Sequence, residues 1–166
     1  DAQALPLQNR CCELLFSNLV LQWCPQPARA LAEARRVLRP GGVLLLSVPG
    51  PATLRELRLA WRQIDDAQHI HEFAAQAQWL AQAADAGFVV EASERRIYRP
   101  VYRDVRTLMQ SLRDIGARHV SAGGRRGLLG KQALARLDAA YAPWRRHDGV
   151  FVSWEILYLQ LRVPAQ

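Results

Sequence analysis

Long hydrophobic runs and cysteines are scarce in this sequence, and both shortages limit what the protein can be. It has no run of about 18 apolar residues, so no helix is predicted to cross a membrane. No basic segment leads into an apolar one at the amino terminus, so no secretory signal is predicted. The three cysteines, Cys11, Cys12 and Cys24, are an odd number and do not suggest a disulfide framework. We therefore expect a cytoplasmic protein with buried thiols.

Lysine is almost absent, because Lys131 is the only one and arginine supplies nearly all the positive charge. The net charge of +7 favours an acidic partner, either a nucleic acid or an acidic protein. Arginines on a solvated surface explain the same charge without a partner. No nucleic-acid-binding motif is recognisable, so a nucleic-acid partner is the least favoured of these interpretations. A composition that is 50% hydrophobic and 22% charged indicates a folded, globular chain.

Apolar runs and a helical pattern alternate in the first third of the chain. Residues 13–17 are predicted to form a buried strand, because parallel strands covered on both faces are apolar throughout. The spacing of apolar residues over 27–39 predicts a helix, which Gly41 and Gly42 are expected to end. A second apolar run, 43–48, follows directly. Strand, helix and strand in this order predict a parallel β-α-β unit with a right-handed crossover.

The remaining patterns complete a single α/β domain over residues 1–166. Helices are predicted at 53–65, 75–86, 104–116 and 131–141, and strands at 88–98 and 151–163. Asp104 is expected to cap the third of these helices, and Ile115 is expected to face inward. In the first of them, three arginines form a stripe beside the apolar one: Arg55, Arg58 and Arg62.

Three motifs follow one another at the start of the chain. They are Asp1-Ala2 with Leu-Pro-Leu shortly after, ELLFSNLVLQW at 13–23, and RVLRPGG at 36–42. In this order they resemble the second half of class I S-adenosylmethionine-dependent methyltransferases. That family has a Rossmann-like α/β fold with strand order 3-2-1-4-5-7-6, strand 7 antiparallel and helices on both faces. The resemblance implies that the strands at 13–17, 43–48, 151–163 and 88–98 are equivalent to 4-5-7-6 of that sheet.

Four further segments carry a narrower resemblance. They are SNLVLQWC at 17–24, TLRELRLAWRQID at 53–65, HIHEF at 69–73, and a tail with an Ile-Gly-Ala helix end, a Gly-Arg loop and Gly-Lys at 130–131. Together they resemble the malonyl-acyl carrier protein O-methyltransferases of biotin synthesis. This resemblance implies methyl transfer from S-adenosyl-L-methionine to the free carboxylate of malonyl-acyl carrier protein. That carboxylate is already ionised at neutral pH, so no acid-base pair is expected.

The resemblance also implies where ligands bind. The cofactor-binding residues would be Asp1, Ala2, Ser17 and Asn18. The substrate-binding residues would be Leu21, Gln22, Trp23, His69, His71 and Arg126. Acyl carrier proteins are acidic, so the arginine stripe of Arg55, Arg58 and Arg62 is our candidate for contact with the carrier protein. Simpler interpretations remain open, namely a turn for Asn18, core packing for Trp23 and a solvated helix face for the arginines. If the segment around His69 and His71 is a strand, both histidines share a face, but no further ligands suggest a metal site.

One family feature is not found in the sequence. The family begins with about a hundred further residues that include a glycine-rich turn for the cofactor. The glycines here follow helices and do not form such a turn. We therefore expect weak cofactor binding and impaired or absent activity, with an inactive, truncated remnant as the alternative. We also expect a homodimer through the open edge of the strand at 13–17, because unpaired apolar edges recruit strands.

Overall fold

The computed structural model of the protein describes residues 1–115 and 130–165. The chain divides into two compact units. Unit 1 comprises Asp1–Pro51, Phe73–Arg96 and Glu155–Gln166, and unit 2 comprises Ala52–Glu72 and Ile97–Trp154. Two compact units are compatible with one domain or with two, so the single domain stays a prediction.

Strands and helices follow one another along the described chain. The strands are β1 (Cys12–Asn18), β2 (Leu38–Pro49), β3 (Val89–Tyr98), β4 (Val101–Tyr102), β5 (Arg145–Arg146), β6 (Gly149–Phe151) and β7 (Trp154–Arg162). The helices are α1 (Pro27–Val37), α2 (Arg55–Arg62), α3 (Gln76–Asp85), α4 (Val105–Asp114) and α5 (Lys131–Ala140). None of the helices in residues 1–115 and 130–165 has the length and apolarity that a bilayer crossing requires.

The main sheet has the strand order β1-β2-β7-β3. Strands β1 and β2 are parallel, with Leu15 opposite Leu44 and Asn18 opposite Ser47. Strand β7 is antiparallel to β2. The predicted order 4-5-7-6, its antiparallel strand and the parallel β-α-β unit are thus confirmed, and with them the Rossmann-like fold class.

One face of this sheet forms the core of unit 1. Leu31 of α1 and Trp79 of α3 pack there with the strand residues Leu44, Leu46 and Leu159. Both helices therefore cover the same face of the sheet. Helices were expected on both faces, and within unit 1 they lie on this face. On the opposite face, two side chains of β1 stay exposed: Leu14 by 57% and Phe16 by 72%. The strand at 13–17 exists, but its predicted burial is wrong. Its apolar sequence suits a strand with two covered faces.

Unit 2 is built on α2, α4 and α5 with a small sheet of order β4-β6-β5. Its core contains Leu57, Leu108 and Leu137. Asp104 caps α4 as predicted, because its side chain accepts a hydrogen bond of 2.7 Å from the Thr107 N–H. The inward orientation predicted for Ile115 is wrong, since this side chain is 62% exposed at the end of the helix.

Two of the predicted element boundaries that are wrong have the same reason, which is competition from a distant partner. Helix α1 ends at Val37 rather than at Gly41 and Gly42, because Leu38 already pairs with Cys12 of β1 and Pro40 cannot continue a helix. The strand predicted over 151–163 is interrupted after Phe151. At this break the Ser153 backbone bonds to Glu56 and Leu54 instead of to a neighbouring strand.

The expected burial of the thiols is also wrong for Cys11, which is exposed, while Cys12 and Cys24 are partly exposed. Cys11 precedes β1, and its N–H donates to the carbonyl of Val37 at 2.8 Å. The backbone of Cys11 is therefore fixed at the margin of unit 1.

Candidate functional site

The carboxyl ends of β1 and β2 lie side by side, because these strands are parallel and in register there. Asn18 ends β1 opposite Ser47, and the Ser47 hydroxyl donates a hydrogen bond to the amide oxygen of Asn18. The N–H of Leu19 donates to the Ser47 carbonyl at 2.9 Å. Ligands of open α/β sheets bind at this end of the strands. The arrangement therefore places two polar side chains where a cofactor of this fold would rest.

The chain turns sharply after Asn18. Leu19 adopts a left-handed backbone conformation with φ of 53°, which turns the chain away from the sheet. A short 3-10 helix, Leu21–Trp23, follows. Within it Leu21 is buried in the core of unit 1, whereas Trp23 is 41% exposed. Leu21 packs in the core, and the substrate-binding roles of Leu21, Gln22 and Trp23 stay predictions.

The first residues of the chain are held by hydrogen bonds and packing. The Asp1 carboxylate accepts a hydrogen bond of 2.9 Å from the N–H of Gln3, and Ala2 packs against the core of unit 1. Farther on, the Glu33 carboxylate accepts the Leu5 N–H at 2.9 Å and the Arg36 guanidinium at 2.8 Å. These hydrogen bonds, above all the one from Arg36, lower the pKa of Glu33 to about 2. Asp1 and Ala2 thus have defined positions in unit 1, and their cofactor role stays a prediction.

Five further predicted ligand-binding residues lie in unit 2, namely Arg55, Arg58, Arg62, His69 and His71. A cavity of about 400 Å³ is lined by Arg58, Trp61, Arg62 and six residues between Asp66 and Glu72. The His69 ring stacks on the Trp61 ring at 3.8 Å between centroids, with 16° between the planes. His69 Nε2 lies 2.6 Å from Asp65 Oδ1, which fixes the imidazole over the indole.

The two histidines do not lie on a strand. Residues 66–75 have neither helix nor strand structure, so the condition under which His69 and His71 would share a strand face is not met. His69 lines the cavity, and His71 is not among its lining residues. Within residues 1–115 and 130–165, no group of three or more His, Cys, Asp or Glu side chains is arranged to hold a metal ion.

The arginine stripe of α2 is divided by its surroundings. Arg55 donates to Glu56 at 2.9 Å, although that carboxylate is only 1% exposed. Arg58 is half-buried and donates to the Thr53 carbonyl at 3.0 Å. Burial lowers the pKa of Arg58, and the nearby charge of Glu72 opposes this shift. Arg62 is exposed. Because Arg58 is half-buried, the stripe is not the uniformly exposed face that the sequence suggested.

One predicted ligand-binding residue lies outside the described residues, and three residues near the candidate sites were not predicted from the sequence. Arg126 lies outside the described residues, as do residues 122–129 of the Gly-Arg loop. Ser47 was not singled out in the sequence, although a serine near the end of an otherwise apolar strand is the pattern that would have indicated it. Asp65 and Glu72 were missed because only the folded chain brings them beside the arginines and His69.

Comparisons with known proteins agree with this fold. Residues 1–46 match the family described as "Methyltransferase domain". The malonyl-[acyl-carrier protein] O-methyltransferase of Methylococcus capsulatus is 41% identical over 141 residues, which are 85% of this chain and 51% of that protein. The protein of the same name from Gallionella capsiferriformans is 36% identical over 165 residues, 99% of this chain and 57% of that protein. The chain therefore spans about half the length of the curated relatives it matches.

A solved structure supports the fold alone. A proposed methyltransferase from Bacillus halodurans C-125 superposes with a TM-score of 0.64 at 16% identity, covering 99% of this chain and 70% of that one. Together these similarities confirm the resemblance to class I methyltransferases and, among them, to malonyl-acyl carrier protein O-methyltransferases.

Proposed function

We propose, on the premise that this chain belongs to the class I S-adenosylmethionine-dependent methyltransferases, that it is part of an enzyme that methylates the free carboxylate of malonyl-acyl carrier protein. The observation that carries the proposal is identity of 36% along 99% of the chain to a protein with that name. The match extends through both units, so it includes more than the segment common to methyltransferase domains. Biotin synthesis is the pathway that the resemblance implies.

The residues at the carboxyl ends of β1 and β2 fit the cofactor chemically. S-adenosyl-L-methionine carries hydroxyl, amino and carboxylate groups, which require polar partners. The exposed Asn18 offers an amide group there, and the buried Ser47 orients this amide through its hydroxyl. We assign Ser17, Asn18 and Ser47 to this side of the cofactor, with Asp1 and Ala2 as further candidates. The sulfonium of the bound cofactor supplies the methyl group.

The acceptor needs alignment more than activation. A malonyl carboxylate is ionised at neutral pH and attacks the methyl carbon without a general base. The work of the protein is to hold the carboxylate oxygen in line with the methyl group and to exclude water. Trp23 is suited to this task, because it follows the turn after β1 and offers a large apolar ring that is 41% exposed.

The carrier protein supplies the third part of the proposal. Acyl carrier proteins are acidic, and a basic surface steers an acidic partner during encounter. Arg55 and Arg62 are exposed on α2, which places positive charge at the surface of unit 2. We propose that these side chains contact the carrier protein.

A second candidate is a binding module without activity, and the exposed β1 favours it. This strand is at the edge of the sheet and presents Leu14 and Phe16 to solvent. Edges of this kind pair with other strands. The homodimer through residues 13–17 belongs to this proposal.

A chimera tests the methyl-transfer proposal in a protein of the full length of the curated relatives. The matching segment of the Methylococcus capsulatus relative is replaced by this chain, which is 41% identical there. We expect the chimera to convert malonyl-acyl carrier protein to its methyl ester with S-adenosyl-L-methionine, as followed by mass spectrometry of the carrier protein.

Two substrates serve as controls in the same assay. Acetyl-acyl carrier protein has no free carboxylate and is expected to give no ester. Malonyl-coenzyme A lacks the acidic carrier and is expected to react roughly tenfold less efficiently, as judged by kcat/KM. A folded chimera that binds carrier protein and transfers no methyl group would favour the binding module over the enzyme.

A further inference from the structure

The cavity beside α2 combines side chains that the sequence assigned to two different roles. Arg58 and Arg62 were candidates for carrier protein contact, and His69 was a candidate for the substrate. All three line one cavity in unit 2, together with Trp61. Its volume of about 400 Å³ falls within the range of small-molecule sites.

The charged side chains that line this cavity differ in their exposure to water. Arg62, Asp66 and Glu72 line the cavity and are all exposed, so water screens their charges. Arg58 is half-buried, so its charge is screened less, and its bond to the Thr53 carbonyl orients the guanidinium. The less screened charge of the wall is therefore positive. Guanidinium groups are well suited to the planar, bidentate recognition of carboxylate and phosphate.

Aromatic rings give the cavity a fixed wall. Trp61 is only 5% exposed, and the stacked His69 ring is held in place by Asp65. A rigid wall next to oriented donors reduces the ordering cost of binding a ligand. The volume admits an oxyanion together with part of the chain that carries it.

We propose that this cavity is an oxyanion-binding site in which Arg58 and Arg62 hold a carboxylate or a phosphate beside the His69–Trp61 stack. Two parts of one substrate carry such groups, namely the malonyl carboxylate and the phosphate of the phosphopantetheine arm. This assignment to the substrate rests on the proposed function, whereas the oxyanion site does not. In this view Arg58 and Arg62 hold an anionic group that the carrier protein itself bears, so Arg62 contacts the carrier protein through that group. Arg55 contacts the surface of the carrier protein.

The test uses the 166-residue chain and needs no cofactor, so its failure is distinguishable from failure of methyl transfer. Inorganic phosphate and malonate are titrated separately at constant ionic strength, with sodium chloride as the blank. The nuclear magnetic resonance signals of the Trp61 indole and the His69 ring are followed. We expect saturable shifts with at least one of the two anions and none with chloride. Saturation with phosphate alone assigns the site to the phosphopantetheine arm, and saturation with malonate alone assigns it to the acyl carboxylate.

Matched variants separate a site from general attraction. Arg62→Gln removes one exposed charge of the cavity and is expected to weaken binding of the anion roughly fivefold. Arg106→Gln removes an equal charge from the exposed surface of α4, outside the cavity lining, and is expected to leave the affinity unchanged. Equal weakening by both variants, or no saturable shift with either anion in the folded parent chain, would overturn the oxyanion site.

Discussion

Replacing Gly149 with alanine is expected to lower the free energy of unfolding of unit 2 by more than about 3 kcal/mol. An added Cβ would lie 2.1 Å from the carbonyl oxygen of Tyr102 and 3.0 Å from its carbonyl carbon. These backbone atoms cannot move aside easily, because Tyr102 of β4 pairs with Val150 of β6. Gly149 also has φ of 141°, which favours glycine. Urea unfolding followed by circular dichroism measures the loss.

Gly41→Ala is the matched control for this prediction. Gly41 also has a positive φ, 76°, but no atom lies within 4 Å of the added Cβ. Only backbone strain then opposes alanine, and we expect a loss of about 1 kcal/mol. If both variants lower the free energy of unfolding by the same amount, the contact with Tyr102 does not cause the loss in Gly149→Ala. The β4–β6 pairing would then be described wrongly.

Removing the Glu56 carboxylate is expected to cost about 3 kcal/mol of folding free energy. This carboxylate accepts the Ser153 N–H at 2.8 Å and the Ser153 hydroxyl at 2.7 Å, and these groups are buried. Glu56→Ala leaves these donors without their acceptor in the interior. Ser153→Ala removes only the hydroxyl and is expected to cost about 1 kcal/mol. Chemical denaturation of both single variants and of the double variant measures the coupling, and simple additivity would contradict this contact.

The same carboxylate predicts a dependence of stability on pH. Burial alone would raise the pKa of Glu56, but hydrogen bonds from Ser153 and Arg55 outweigh it and hold the pKa below its ordinary value of 4.5. The folded state therefore binds this proton less readily than the unfolded state. The resulting stabilisation is present above the ordinary pKa and is lost as the pH falls through the lowered, folded-state pKa. We expect the stability gap between the parent chain and Glu56→Ala to narrow on acidification, and a gap that widens would contradict the assignment.

Local sequence patterns predicted much of the fold because they act over a few residues. The run at 43–48 formed part of β2, and Asp104 capped α4 through a residue three positions away. The interruption between β6 and β7 could not be predicted in this way. It depends on Glu56, which is 97 positions from Ser153 in the chain.

In the candidate site, too, local features could be predicted from the sequence and features that depend on distant contacts could not. Asn18 could be placed at the end of a strand from the apolar run before it. Its partner Ser47 required the register between β1 and β2. The cavity of unit 2 also depends on the folded chain, because the stacking of His69 on Trp61 has no signal in the sequence. The predicted burial of β1 was wrong, because an apolar sequence indicates which surfaces can be covered but does not show which surfaces are covered.

We propose that the carboxyl ends of β1 and β2 together face the methyl donor. Hydrogen–deuterium exchange of the chimera, with and without S-adenosyl-L-methionine, tests it most directly. We expect the cofactor to slow amide exchange in residues 17–23 and 47–50, which include Asn18 and the chain just after β2. Exchange at 38–42, the opposite end of β2, is expected to stay unchanged. Calorimetry confirms that the chimera binds the cofactor. If amide exchange at 17–23 and 47–50 is then no slower with the cofactor than without it, these strand ends do not face the methyl donor.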